Sequence, residues 1–135
     1  MDPKLGRANV IIQTYVEAGR PEEALAYLNA WRVVFPGPWN WANEAYIRGN
    51  MGQRDAAQAA VRKMEEGLRL WKFDPLPVRA LAYAGTGDAD KLLETLEASY
   101  AERSNVPTTL KVDPIFDFLR DDPRFIDLMR RAGLQ

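Results

Sequence analysis

Histidine and cysteine are both missing from this chain of 135 residues, and each absence removes a class of chemistry. Without histidine there is neither the commonest general base nor the commonest metal ligand. Without cysteine, disulfides and thiolate metal sites are excluded, while the redox compartment stays open and cytoplasm is the expected location. Charge of one sign is lacking too: 18 basic against 19 acidic residues leave a formal net charge of -1. No overall field draws in a phosphate backbone or an anionic membrane, so neither nucleic acid nor a lipid surface is an expected partner. No apolar run reaches the ~18 residues of a membrane span, and Met1 to Arg7 lack the apolar core of an export signal. Low-complexity tracts and Ser/Gly linkers are absent as well. One domain over residues 1–135 is expected, long enough to bury a core without cross-links or metals.

What the chain does have is punctuation that returns. Tyr15, Gly19 and Ala24 are followed by Gly52 and Ala57, then by Tyr83, Gly87 and Leu92, the glycines lying 33 and 35 residues apart (19 to 52, 52 to 87). A unit of about 34 residues folded as two antiparallel helices cannot bury its apolar face alone, so it must stack on a neighbour and build an all-α solenoid.

Apolar spacing fills in the helices. Leu5, Ala8, Ile11, Ile12, Tyr15 and Val16 make one stripe of a helix from Lys4 to Val16, which Gly19 ends. Pro21 opens a second helix to about Phe35, with a buried face of Ala24, Leu25, Leu28, Trp31 and Val34 or Phe35, and Pro36-Gly37-Pro38 stops it. The second pair is expected to open near Asn40, to carry Trp41, Ala45, Tyr46 and Ile47, and to be loosened and ended by Gly49 and Gly52. With Asp55 as N-cap it resumes from Ala56 to about Trp71, with Ala57, Ala60, Val61, Met64, Leu68 and Trp71 inward. A third pair starts after Asp74-Pro75 with Leu76, Ala80, Leu81 and Tyr83, turns at Gly85-Thr86-Gly87-Asp88 and returns through Leu92, Leu93, Leu96 and Tyr100. A closing element follows: a short helix near Pro114 to Leu119, then a last one with Asp122 as N-cap, Pro123 at the first helical position and Gly133 past the final turn. Repeats thus cover about 4–36, 39–72 and 74–104, with a cap at about 110–135.

Tyr15, Gly19, Ala24, Leu28 and Pro36 fall where the tetratricopeptide consensus has aromatic, glycine, alanine, large apolar and proline, so the first pair resembles that repeat. Trp41 and Ala57 fit its opening tryptophan and helix-crossing positions. The later pairs depart from it: Glu44 and Arg79 stand where leucine is usual, Leu92 replaces alanine, and Trp31 occupies a position that is normally small. The stretch Leu110-Lys111-Val112-Asp113-Pro114-Ile115-Phe116-Asp117-Phe118-Leu119-Arg120-Asp121-Asp122-Pro123-Arg124-Phe125, with Leu128 and Gly133-Leu134 beyond, is similar to the closing segment of tetratricopeptide tails on bacterial multidomain regulators. In those proteins such a tail follows a winged-helix DNA-binding domain, a nucleotide cyclase or a serine/threonine kinase. The resemblance covers nearly the whole chain. It implies an α-α superhelix of three helical hairpins plus a C-terminal capping helix pair, acting in bacterial signalling or transcription regulation as a protein-interaction module. It also implies a fragment, because no motif of those catalytic or DNA-binding parts is in the sequence.

In arrays of this type the first helices of successive pairs line a concave groove, which places Asn9, Gln13 and Glu17, then Asn43, Tyr46 and Asn50, on the inner side. Side chains with both donors and acceptors beside one aromatic suit an extended peptide whose backbone wants hydrogen bonds; a wetted surface that binds nothing is the other reading. Paired lysines and arginines that would clamp a terminal carboxylate are lacking. Trp39, set off by Pro38, is the tryptophan expected to be exposed, whereas Trp31, Trp41 and Trp71 lie on helical stripes and are assigned to packing. A partner protein, the parent protein's effector domain or a second copy of the chain could occupy the groove. A small molecule entering at the aromatic junctions (Trp31, Phe35, Trp39, Trp41, Trp71, Phe73) is the alternative. Asp113, Asp117, Asp121 and Asp122 invite a catalytic or metal reading. Asp113 and Asp122 each precede proline at a helix start, however, and Lys111, Arg120 and Arg124 can neutralise the rest, so capping and surface pairing are the expected roles. No cofactor, metal or catalytic residue is expected.

Overall fold

Among the residues described by the computed structural model, 3–34, 37–70, 76–101 and 114–133, there are seven α-helices, one 3₁₀ helix and no strand. In chain order these are α1 (Pro3–Glu17), α2 (Pro21–Val34), α3 (Pro38–Asn50), α4 (Arg54–Leu68), α5 (Leu76–Thr86), α6 (Ala89–Ala101), the 3₁₀ helix (Pro114–Leu119) and α7 (Pro123–Arg131). The all-α expectation holds.

Three turns, α1–α2, α3–α4 and α5–α6, share one hydrogen-bond pattern. Gly19, Gly52 and Gly87 have φ of 77°, 77° and 68°. The residue after each glycine donates its N–H back five positions: Arg20 to Tyr15 at 2.8 Å, Gln53 to Arg48 at 2.9 Å and Asp88 to Tyr83 at 3.0 Å. A left-handed residue is what lets the chain fold back on the carbonyls its helix leaves unpaired, and glycine adopts it without a Cβ penalty. The periodicity is visible in the sequence at the glycines for that reason. Register then carries into the second helices, where Ala24 donates to Arg20, Ala57 to Gln53 and Leu92 to Asp88, and all three side chains are buried.

The same register corrects one expectation. Asp55 is the second residue of α4 and is exposed, while the N-cap is Gln53, whose side chain makes no bond to the helix. The cap position is the one after the turn glycine. In the third pair it is filled by Asp88, whose Oδ1 accepts from the Lys91 N–H at 3.0 Å.

Each helix packs on its pair-mate, and the first helices also touch in series, α1 with α3 and α3 with α5. Since α2 also reaches α3, this central helix has neighbours on most sides, and Pro38, Asn40, Ala42, Asn43, Ala45, Tyr46 and Ile47 are all buried. One core runs from Ile12 and Leu28 through Ile47 and Met64 to Leu92 and Leu96, and on to Leu119, Phe125 and Leu128 beneath the last helix.

Two glycines were expected in turns and sit inside helices instead. A Cβ on Gly49 would lie 1.8 Å from the carbonyl oxygen of Gly85, and one on Gly85 would lie 2.3 Å from the Cα of Tyr46. Gly49 therefore does not end α3, and Gly85 does not open the α5–α6 turn. Both remove the side chain that would hold α3 and α5 apart.

Other boundaries shift by small amounts. Pro38 rather than Asn40 opens α3, at its first helical position, directly after Gly37. The inner face of α4 is Ala57, Ala60, Val61, Met64 and Leu68, as the spacing predicts. On α2 the buried face is shorter than expected: Ala24 and Leu28 are buried, Leu25 and Trp31 half-buried, and Val34 is 66% exposed. Phe35, Pro36, Trp71, Phe73, Asp74-Pro75 and Asp113 lie outside the described residues, as do the side chains of Leu5 and Leu76.

The consensus-breaking charges have partners. Glu44 accepts from Arg32 of α2 at 2.8 Å and lies 3.6 Å from Arg48, and Arg79 donates to the Tyr83 hydroxyl at 3.2 Å, which donates in turn to Glu65 of α4 at 3.1 Å. Half-buried charge is tolerated only when paired in this way. At the end of the chain the predicted signals are realised together: Asp122 Oδ1 accepts from the Arg124 N–H at 2.9 Å, Pro123 takes the first helical position, and Gly133 has φ of 75°.

Candidate functional site

A cleft of about 740 Å³ opens where the C-terminal ends of α3 and α5 meet the start of α4 and the 3₁₀ helix. Tyr46, Gly49 and Asn50 come from α3, Arg54, Ala57 and Gln58 from α4, Ala84, Gly85 and Thr86 from α5, Gly87 from the turn, and Ile115, Asp117 and Phe118 from the 3₁₀ helix. The helix crossing creates it: because Gly49 and Gly85 bring two backbones together, part of the lining is bare main chain.

Polar and apolar groups share this opening, and several of the polar ones are held in place by hydrogen bonds. Asn50 is exposed, and its amide donates to the Tyr46 carbonyl at 2.8 Å, which fixes the orientation of the side chain. Thr86 turns its hydroxyl onto its own helix, donating to the carbonyls of Ala82 and Tyr83. Asp117 is paired with Arg120 at 3.2 Å. Arg54 and Gln58 are exposed, and Arg54 forms no ion pair among the described residues. Phe118 is 45% exposed, an unusual fraction for a phenyl ring one residue from the fully buried Leu119.

Of the residues expected in a polar groove, Tyr46 and Asn50 meet at this cleft. Gln13 is half-buried on α1, Glu17 is exposed at its end, and the side chain of Asn9 lies outside the described residues. Asn43 is 2% exposed and donates its amide to the Trp39 carbonyl at 3.0 Å, so it sits within the packing of the central helix. Trp39, expected to be exposed, is half-buried against the core. Trp41 is half-buried too, with Arg32 of α2 and Lys63 of α4 over its ring at 5.1 and 5.0 Å from the centroid. A cation held over an aromatic face is stabilising, and here the protein supplies its own. Arg54, Gln58, Ile115 and Phe118 were not anticipated. Phe118 had a readable signal, since Phe116 and Leu119 are the pair three apart that turns inward and leaves Phe118 off the stripe.

The titrating groups act in structure. Burial raises the Tyr83 hydroxyl above its usual 10.0; the Arg79 hydrogen bond pulls the other way, and the nearby Glu65 carboxylate adds to the rise. Asp122 is held below 3.8, chiefly by the Arg124 side chain and then by the Arg124 N–H it caps, and Asp127 is lowered by Arg130 and Arg131. Among the described residues no three acidic side chains converge to hold a metal ion. No helix there is long and apolar enough to cross a membrane. No protein-family model, curated protein or solved structure matches the chain.

Proposed function

We propose that the chain is a non-catalytic protein-interaction module of tetratricopeptide type, cytoplasmic and bacterial in origin, serving a regulatory protein. Its helix pairs stack as a short superhelix closed by the 3₁₀ helix and α7, and the cleft beside α3 receives a segment of a partner protein. The observation that carries this reading is the cleft itself: a volume suited to a few side chains, framed by three repeat elements and the closing element, with an oriented amide at Asn50 and an exposed ring at Phe118. The threefold identity of the glycine turns supports the repeat assignment. At the aromatic junctions the two cations over Trp41 favour a packing role for that ring rather than a small-molecule site.

Panning a display library of random short peptides on the immobilised protein tests the reading. Enriched peptides should bind in calorimetry and lose about fivefold in affinity against Asn50→Ala, the effect of one lost hydrogen bond. Failure of any peptide to enrich over a blank surface overturns the interaction role, and peptides indifferent to Asn50→Ala overturn the assignment of this cleft.

A further inference from the structure

Resting on that reading, we infer that the cleft selects acidic segments: peptides bearing an Asp or Glu side chain close to an aromatic or branched apolar one. The inference comes from the balance of charge around the opening. Two charged side chains line it, Arg54 and Asp117. Asp117 is already matched by Arg120, whereas Arg54 has no acidic partner among the described residues. Among the described residues Arg20, Arg32, Arg48, Arg120, Arg124, Arg130 and Arg131 all contact carboxylates, while Arg62 and Arg69 stand exposed without an ion pair as Arg54 does, but of these three Arg54 alone lines the cleft. An arginine at the mouth of a cleft offers a planar fork of donors that a carboxylate matches in two hydrogen bonds.

The apolar half of the preference comes from the other wall. Ile115 and the 45% exposed Phe118 project from the 3₁₀ helix, and Ala57 and Ala84 leave room beside them. A ligand ring or branched chain laid on Phe118 removes apolar surface on both sides from water, and edge or offset contact between rings adds to it. Arg54 on one wall and Phe118 on the other thus ask for a carboxylate and an apolar group on the same short segment. A basic segment would meet Arg54 with like charge, which discriminates strongly at an interface.

Three sub-libraries that differ at one fixed position, acidic, basic or neutral, are panned on the protein and on Arg54→Glu. Arg54 is exposed at the first position of α4, where an acidic residue favours the helix dipole, so the variant should fold and melt as the parent does. The acidic sub-library should enrich on the parent, with its best peptides bound about tenfold more weakly by Arg54→Glu and by the parent in molar salt. The basic sub-library should gain on the variant. Enrichment blind to charge, or acidic peptides unaffected by Arg54→Glu, overturns the inference while leaving the peptide-binding reading intact; no enrichment from any sub-library overturns both.

Discussion

Where α3 crosses α5, main chain meets main chain at Gly49 and Gly85; where α7 closes on α6, arginines reach across to carboxylates. Arg124 donates to Asp90 at 2.8 Å, Arg131 pairs with Glu97, and the Tyr100 hydroxyl donates to the Arg131 carbonyl at 3.1 Å. The first joint has no side chain to move and so cannot adapt. The second is made of long side chains in water, where ion pairs are screened and pay rotamer entropy. What keeps α7 in place lies beneath them: Phe125 and Leu128 are fully buried, and the Phe116 and Phe125 rings stack with centroids 6.2 Å apart. The two joints therefore differ in what they forbid. The crossing forbids a methyl group, and the closing joint forbids a hole.

The sharpest way to break that contrast is Gly49→Ala. Its Cβ would fall 1.8 Å from a backbone oxygen, so relief requires the two helices to part along their whole contact. Losing a helix interface exceeds the ~2–5 kcal/mol of a single core cavity, so a destabilisation above about 5 kcal/mol is expected. Against a total stability of about 5–15 kcal/mol the cooperative melt should vanish or fall further than for any other substitution named here. A normal thermal melt by circular dichroism would show that the helices are not in backbone contact. Next in size is Phe125→Ala, expected to cost about 3–5 kcal/mol from lost burial and the cavity left behind. If calorimetric unfolding shows the loss to be much smaller, the closing joint is held by its charges after all and the contrast collapses.

The scaffold was legible because its rules are local. Glycine at each turn, proline at the start of α2 and α7, and Asp122 before Pro123 are chemical demands of neighbouring backbone, and every one can be read from a few residues of sequence. Gly49 and Gly85 misled for the same reason. Taken locally a glycine signals a turn, and only the second helix, some 36 residues away (49 to 85), shows that the need is for close approach. The candidate site was half legible. Tyr46 and Asn50 follow from helix register, and Phe118 is legible as a ring off the inward stripe, but that it meets Arg54 of α4 at one cleft depends on the fold-back of the 3₁₀ helix onto α5, a contact with no local signature. Asn43 shows the converse. Register put it on the first-helix face, and packing of α1, α2, α4 and α5 around α3 then enclosed it.

The smallest expected effect concerns the charges on α7 and sharpens the contrast from its weaker side. Asp122 and Asp127 titrate below 3.8 in the folded protein because arginine donors and, for Asp122, a backbone N–H favour the carboxylate. A folded pKa below the unfolded one means that the unfolded chain binds more protons in the window between them, so stability rises with pH there. The contribution is complete above the ordinary carboxylate value of 3.8 and is lost as pH falls through the depressed values. Acidification from neutrality to about pH 5 should therefore leave the α7 resonances unchanged, and below about pH 4 they should be the first to broaden. Asp122→Asn isolates the charge, because asparagine keeps an oxygen that can accept the Arg124 N–H while losing the carboxylate. In that variant the acid response of α7 should shrink while its position in the neutral spectrum persists, and molar salt should reduce the difference further. An α3–α5 joint that responded to acid or salt in the same experiment would mean that it, too, depends on charge, since neither Gly49 nor Gly85 carries a group that can titrate.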